Sequence, residues 1–346
     1  MTDAARAARQ MWTLFEPVHA VTYFAPEARS AFADAGLRGF WRGYFAGRAA
    51  PLGRVGAAPV TAAFFSFAPA MVARALPAIW DLITPEAALQ ARSAGAVAAL
   101  ARLLSDQDLR GPAAPSPAAP ALSGQNGDLG AAAAAAASLL TGVIDGIDCA
   151  GRVLAAANAA LPVPGEPLAR LWQAVTVLRE HRGDGHVAAL VAAGLDGCEA
   201  LVMRAGMDLS REVLQPGRGW ADDAWDLAAS RLADRGWLGP DGRVTAEGAS
   251  AHSALERATD LAAGVPATSL EPRLLAGRPA SRVRRGSRGA GRRCLPGARR
   301  PRGGRARRPR PGLRPRWRHA GRPCGRCCAA APGSRSAGRS AASARR

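Results

Sequence analysis

The chain has 346 residues, 48% of them hydrophobic, enough for a sizeable core and two ordinary domains. Its formal charge of +19 is unevenly placed: all 27 acidic residues lie at or before Glu271, whereas 24 of the 46 basic residues, every one an arginine, fall between Arg273 and Arg346. No apolar run has the length needed to span a bilayer and the opening MTDAARAARQ has no signal-peptide core, so no membrane partner and a cytoplasmic location are expected.

Residues 3 to 24 read as a helix with Met11, Leu14, Phe15 and Val18 along one face, disturbed near Pro17. A second helix starts at Pro26 and stops at Gly36. The segment LRGFWRGYFAGRAAPLG is dense in aromatic residues, and helical spacing puts Trp41, Tyr44 and Phe45 on one face, which either core packing or a ligand pocket explains. From 57 to 82 apolar helices are broken at Pro69 and Pro77, and Thr84-Pro85-Glu86 caps a helix reaching about Leu104. Residues 105–130 lose periodicity and fill with Pro, Ala, Ser and Gly, as a linker does. Helix resumes over 131–140 and again toward Ala160. After Pro162 and Pro164 an amphipathic helix is expected over 167–182, ended by Gly183-Asp184-Gly185; 186–193 then forms a short helix, 194–197 a turn, and 198–204 another short helix. Laid without gaps over the stretch from Leu171, the stretch from Phe40 matches Trp41 with Trp172 and Arg48 with Arg179, a weak sign of an internal repeat.

The run from Trp220 to Thr245 organises the rest. It predicts a helix over 222–235, with Leu227, Ala228, Leu232 and Trp237 able to face inward, followed by a short β-hairpin. Gly236 stops the helix, Pro240-Asp241-Gly242 supplies the turn, and Thr245 caps a closing helix over 246–263. The fold class is therefore mainly α. A helical domain (1–104) and the 105–130 linker precede a winged helix-turn-helix domain with a small β-wing (131–272), and an Arg-rich tail (273–346) without periodicity is expected to be disordered. That tail has the composition of a G+C-rich message read in a shifted frame; an RGG-like arm for polyanions is the functional alternative.

The stretch RLADRGWL…DGRVTAEG resembles the recognition helix and wing of MarR-like winged-helix regulators. With FEPVHAVTYFAPEA and LREHRGDGHVAAL, roughly residues 8–272 are similar to the SalK-like helix-turn-helix family of actinobacterial proteins. The resemblance implies a fold more than a reaction.

Two function classes follow. In the first the chain is a DNA-binding transcriptional regulator, a homodimer on double-stranded DNA with a small-molecule effector. Its readers are Ser230, Arg231 and Arg235 on the 222–235 helix and Arg243 at the wing tip, and Arg204, Arg211 and Arg218 add phosphate contacts. Charge speaks against it: Asp196 to Arg243 holds nine acidic residues and six Arg. In the second class the scaffold holds a ligand or an enzymatic site, centred on His181, Asp184 and His186 if a glycine kink brings them round one cavity, with Trp41, Tyr44, Arg48 and Trp172 as pocket candidates. The simpler reading, and the favoured one, has Asp184 cap the 186–193 helix through the His186 and Val187 amides, with His181 and Arg182 solvated. No P-loop, GxGxxG, GxSxG or HExxH motif is present, so no cofactor is expected. Cys324 and Cys327 have half of a zinc-ligand spacing, with only His319 beside them, so no metal site is expected. Cys149 and Cys198 read as small buried apolar residues.

Overall fold

A computed structural model describes residues 2–109 and 127–264, all within the unit Met1–Arg282. Among these residues there are thirteen α-helices and no strands. They are α1 (Asp3–Phe24), α2 (Pro26–Asp34), α3 (Phe40–Ala49), α4 (Ala57–Phe64), α5 (Pro69–Ala75), α6 (Pro85–Leu109), α7 (Gly127–Ile144), α8 (Val153–Ala159), α9 (Pro167–Ala192), α10 (Gly197–Ala205), α11 (Arg211–Arg218), α12 (Asp222–Asp234) and α13 (Ala246–Ala262). The 273–346 tail, with Cys324, Cys327 and His319, lies outside the described residues, as does most of the expected linker.

Local chemistry sets several of the boundaries. Thr2 caps α1 through the Ala5 amide, and the Glu166 carboxylate accepts from the Leu168 and Ala169 amides at the start of α9. Asp196 and Glu199 form a reciprocal capping box on α10, and Thr245 caps α13 through the Gly248 amide. Pro17 sits inside α1 without ending it.

The largest departure from expectation is α9, which runs unbroken through Gly183-Asp184-Gly185. Gly185 serves packing rather than a turn. A Cβ there would sit 2.6 Å from the Arg152 guanidinium and 3.2 Å from Ala262, so any larger residue would displace that arginine. Helix α9 packs against α1, α6, α7, α8 and α13 and is buried round most of its circumference, hence its lack of a clean polar face. Its buried length includes Glu180, His181, Arg182 and Asp184 as well as Trp172 and Val175.

Two hydrophobic cores flank it. One gathers Phe45, Phe64, Phe67 and Trp80 from α3 to α6; the other gathers Leu190, Val202, Trp225, Ala228 and Leu232 from the end of α9 through α12. On α12 the inward stripe is Trp225, Ala228 and Leu232, spaced three and four apart, which turns Leu227 outward at 58% exposure. Cys198 is buried in the second core and Cys149 is partly exposed; both are free thiols.

The hairpin after α12 consists of one antiparallel bridge, Leu238 to Val244, rather than two strands. The Gly239 amide donates to the Arg243 carbonyl and the Val244 amide to the Gly206 carbonyl. The Thr245 amide donates across the hairpin to the Trp237 carbonyl, the Gly242 amide donates to Gly239 within the turn, and the Thr245 hydroxyl donates to Gly236. So short a hairpin closes on its turn before a ladder can extend.

Candidate functional site

A cavity of about 550 Å³ opens where α9 faces residues 63–67, α10 and α13. A smaller one of about 230 Å³, lined by Thr22, Phe32, Phe40 and Tyr44, shares Tyr44 with it but holds none of the charged cluster described next.

At one end of the large cavity the Arg48 guanidinium grips Glu180 with two parallel bonds, Nε to Oε1 at 3.1 Å and Nη2 to Oε2 at 3.2 Å. Its Nη1 donates to the Tyr44 hydroxyl, and Arg179 Nη1 donates to Glu180 Oε2 at 2.9 Å. Burial alone would raise the Glu180 carboxyl, but Arg179 and Arg48 overcome it and hold the group well below the usual carboxylate range. Glu16 stands 3.8 Å from Arg179 Nε, and burial pushes its carboxyl up. Arg218 completes the group. Its guanidinium lies 4.7 Å over the Phe67 ring, Nη1 donates to the Gly217 carbonyl, and burial, with repulsion from Arg48 and Arg179, lowers its pKa. Three buried polar atoms here, Glu16 Oε2, Arg179 Nε and Arg218 Nε, have no hydrogen-bond partner.

The opposite wall is quieter. His186 Nδ1 donates to the Thr259 hydroxyl at 2.9 Å, because that hydroxyl already donates to the Leu255 carbonyl. Burial lowers the His186 pKa, so a neutral ring faces the cavity. Glu256 is shared between Arg9 and Arg182.

The loop from 64 to 68 ties the cavity to the helices beyond it. Phe65 has φ 42°, a strained value for a non-glycine residue. Its carbonyl lies against Gly197 at the start of α10, where a Cβ would come within 2.0 Å. The Ser66 carbonyl accepts from Trp220 Nε1, and the Ala68 amide donates to the Arg218 carbonyl.

Of the pocket candidates, Tyr44 and Arg48 line the cavity, Trp41 packs among Phe40, Phe45 and Phe67, and Trp172 is buried beneath, stacked on His19. The His181, Asp184 and His186 side chains face three ways because the helix does not kink. His181 Nε2 donates to the Asp148 carbonyl, and burial and Arg152 push it down to about 4. Asp184 accepts from the Leu154 and Ala155 amides, capping α8, and burial pushes it up to about 6. Only His186 reaches the cavity. Among the described residues no group of three His, Cys, Asp or Glu could hold a metal ion.

Arg231 binds Asp196 and Glu199, while Arg235 donates to the Ala193 and Gly194 carbonyls and lies over Trp237. Ser230 and Arg243 are exposed. Arg204 pairs with Asp208, and Arg211 with Asp222 and Asp226. Glu16 carried no signal in the sequence, since a single glutamate beside a proline in an amphipathic helix reads as solvated.

A family model described as a helix-turn-helix family matches residues 8–284, most of the chain. The chain belongs to that helix-turn-helix family. In this helix-turn-helix chain the match stops near the compositional change at Arg273. No curated protein and no solved structure matches it. No single described helix is long and apolar enough to cross a membrane.

Proposed function

We propose that this helix-turn-helix protein binds a small molecule in the large cavity beside α9. The observation that carries the reading is Arg218, a partly buried cation on an aromatic ring with an unbonded Nε, at the wall of a space sized for an ordinary organic ligand. The scaffold in this reading is a winged helix of the SalK-like and MarR-like kind. Helices α10, α11 and α12 come in that order, and the Gly206 carbonyl between α10 and α11 accepts from Val244 as a third wing strand would. The halves on either side of the 105–130 stretch would share α9, which packs against α1 and α6 as well as α13. The test is binding of Nile red, a neutral environment-sensitive dye, to the full chain. Its fluorescence should rise with the protein and fall back in Val187→Trp, which fills the cavity; a signal that this variant leaves intact would sink the reading.

Family membership and the helix order favour a second reading, a dimeric DNA-binding regulator with α12 in the major groove. Against it stands the outer face of α12, where Asp222, Asp223, Asp226 and Asp234 are exposed while Arg231 turns to Asp196 and Glu199. Sequence-selective duplex binding that survives physiological salt, and that Arg243→Ala weakens by about 1–3 kcal/mol, would establish this reading.

A further inference from the structure

We infer that the cavity selects organic monoanions, with a carboxylate paired to Nη2 of Arg218; the inference rests on the small-molecule reading above. The pairing has a precedent within the protein: the Arg48 guanidinium holds the Glu180 carboxylate at 3.1 and 3.2 Å. Arg218 uses Nη1 on the Gly217 carbonyl, its Nε is closed to solvent, and no carboxylate pairs with it among the described residues. The face of its guanidinium is already taken by Phe67, so Nη2 is what remains to address a ligand.

The charge balance points to one negative charge. Arg48, Arg179 and Arg218 line this end against two carboxylates: Glu180, gripped by Arg48 and Arg179, and Glu16, 3.8 Å from Arg179 Nε. The remaining cavity arginine, Arg204, is held by Asp208. One carboxylate therefore completes the cluster, whereas a dianion would overshoot it and a cation would meet three guanidiniums. The rest of the lining sets the body of the ligand. Phe64, Phe67, Leu190, Leu201, Met203 and Leu255 give apolar walls, so the charged head continues into a hydrocarbon or aryl part.

The test compares 1-naphthoate with 1-naphthamide, near-isosteres that differ in charge, by calorimetric titration of the full chain. Naphthoate should bind about tenfold or more tightly than the amide, as hydrogen bonds to a charged group imply. Arg218→Gln should remove that preference, bringing the naphthoate and naphthamide affinities together. Arg204→Gln, on the same cavity, should keep the preference. The 24 arginines from Arg273 onward are common to all three proteins and cancel between them. Equal binding of the two probes, or a preference that survives Arg218→Gln, overturns the anion assignment. If Nile red still binds in those cases, the small-molecule reading stands without it; if neither naphthalene probe nor Nile red binds, both fall.

Discussion

The cavity wall and the outer face of α12 are built from the same two residue types, arginine and carboxylate, yet they have opposite character. At the cavity, Arg48 and Arg179 share the fully buried Glu180, Glu16 stands beside Arg179, Arg218 has no carboxylate partner among the described residues, and two guanidinium nitrogens stay unbonded. On α12 and its neighbours, Arg211 has Asp222 and Asp226, and Arg231 has Asp196 and Glu199, two acids for each cation. The first arrangement is short of negative charge where water is scarce; the second has it in excess where solvent screens it. What differs is stoichiometry and burial, and those decide which arginines are available to an anionic partner.

The comparison is broken most severely at Glu180. Glu180→Gln leaves Arg48 and Arg179 buried without their counter-charge, and urea unfolding should report a loss of about 3–5 kcal/mol. A loss under about 1 kcal/mol would mean that the cluster is solvated and not the charge trap described above.

Gly197→Ala strikes the joint between the two regions. The added methyl would meet the Phe65 carbonyl at 2.0 Å, so either α10 or the 64–68 loop has to move. The expected loss is about 1–3 kcal/mol, measured by thermal unfolding, and Nile red binding should weaken with it.

His181 gives a pH handle on the same helix. Its folded pKa, about 4, lies below the unfolded value, so its contribution is present above about 6.5 and is lost as pH falls through 4. Asp184 works the other way: its folded pKa, about 6, lies above the unfolded value, so stability associated with it is present at low pH and lost as pH rises through 6. The two oppose each other between pH 4 and 6. His181→Gln removes one side, so its destabilisation relative to the parent should shrink by roughly 2 kcal/mol between pH 7 and pH 4.5, read from denaturation curves at each pH. A penalty that does not change with pH would refute the assignment.

The smallest effect belongs to the outer face. Arg231→Ala removes a part-exposed pair and should cost about 1 kcal/mol or less of stability. It should leave ligand binding untouched, and a marked loss of duplex affinity in this variant would instead move the functional weight to α12.

Much of the fold was legible because it depends on local signals. Pro26, Pro85 and Pro167 each open a helix, Thr245 caps the helix that follows it, and Gly236 stands just past the end of α12, in the left-handed conformation. The helical character, the helix-turn-helix order and the concentration of positive charge beyond Arg273 all follow from residue type and spacing along the chain. The long-range features were not legible. The Gly183-Asp184-Gly185 stretch reads as a break because glycine is a poor helix former. Packing against Arg152 and Ala262 overrides that preference, and once α9 is straight its His181, Asp184 and His186 face three different partners. Arg48 and Glu180 lie 132 residues apart, and no local pattern pairs them. Arg218 reads as one more surface cation until the 64–68 loop sets Phe67 beneath it. Local propensity chose the helices; tertiary packing, by removing water and counter-ions from some charges and leaving them for others, decided which residues form a site.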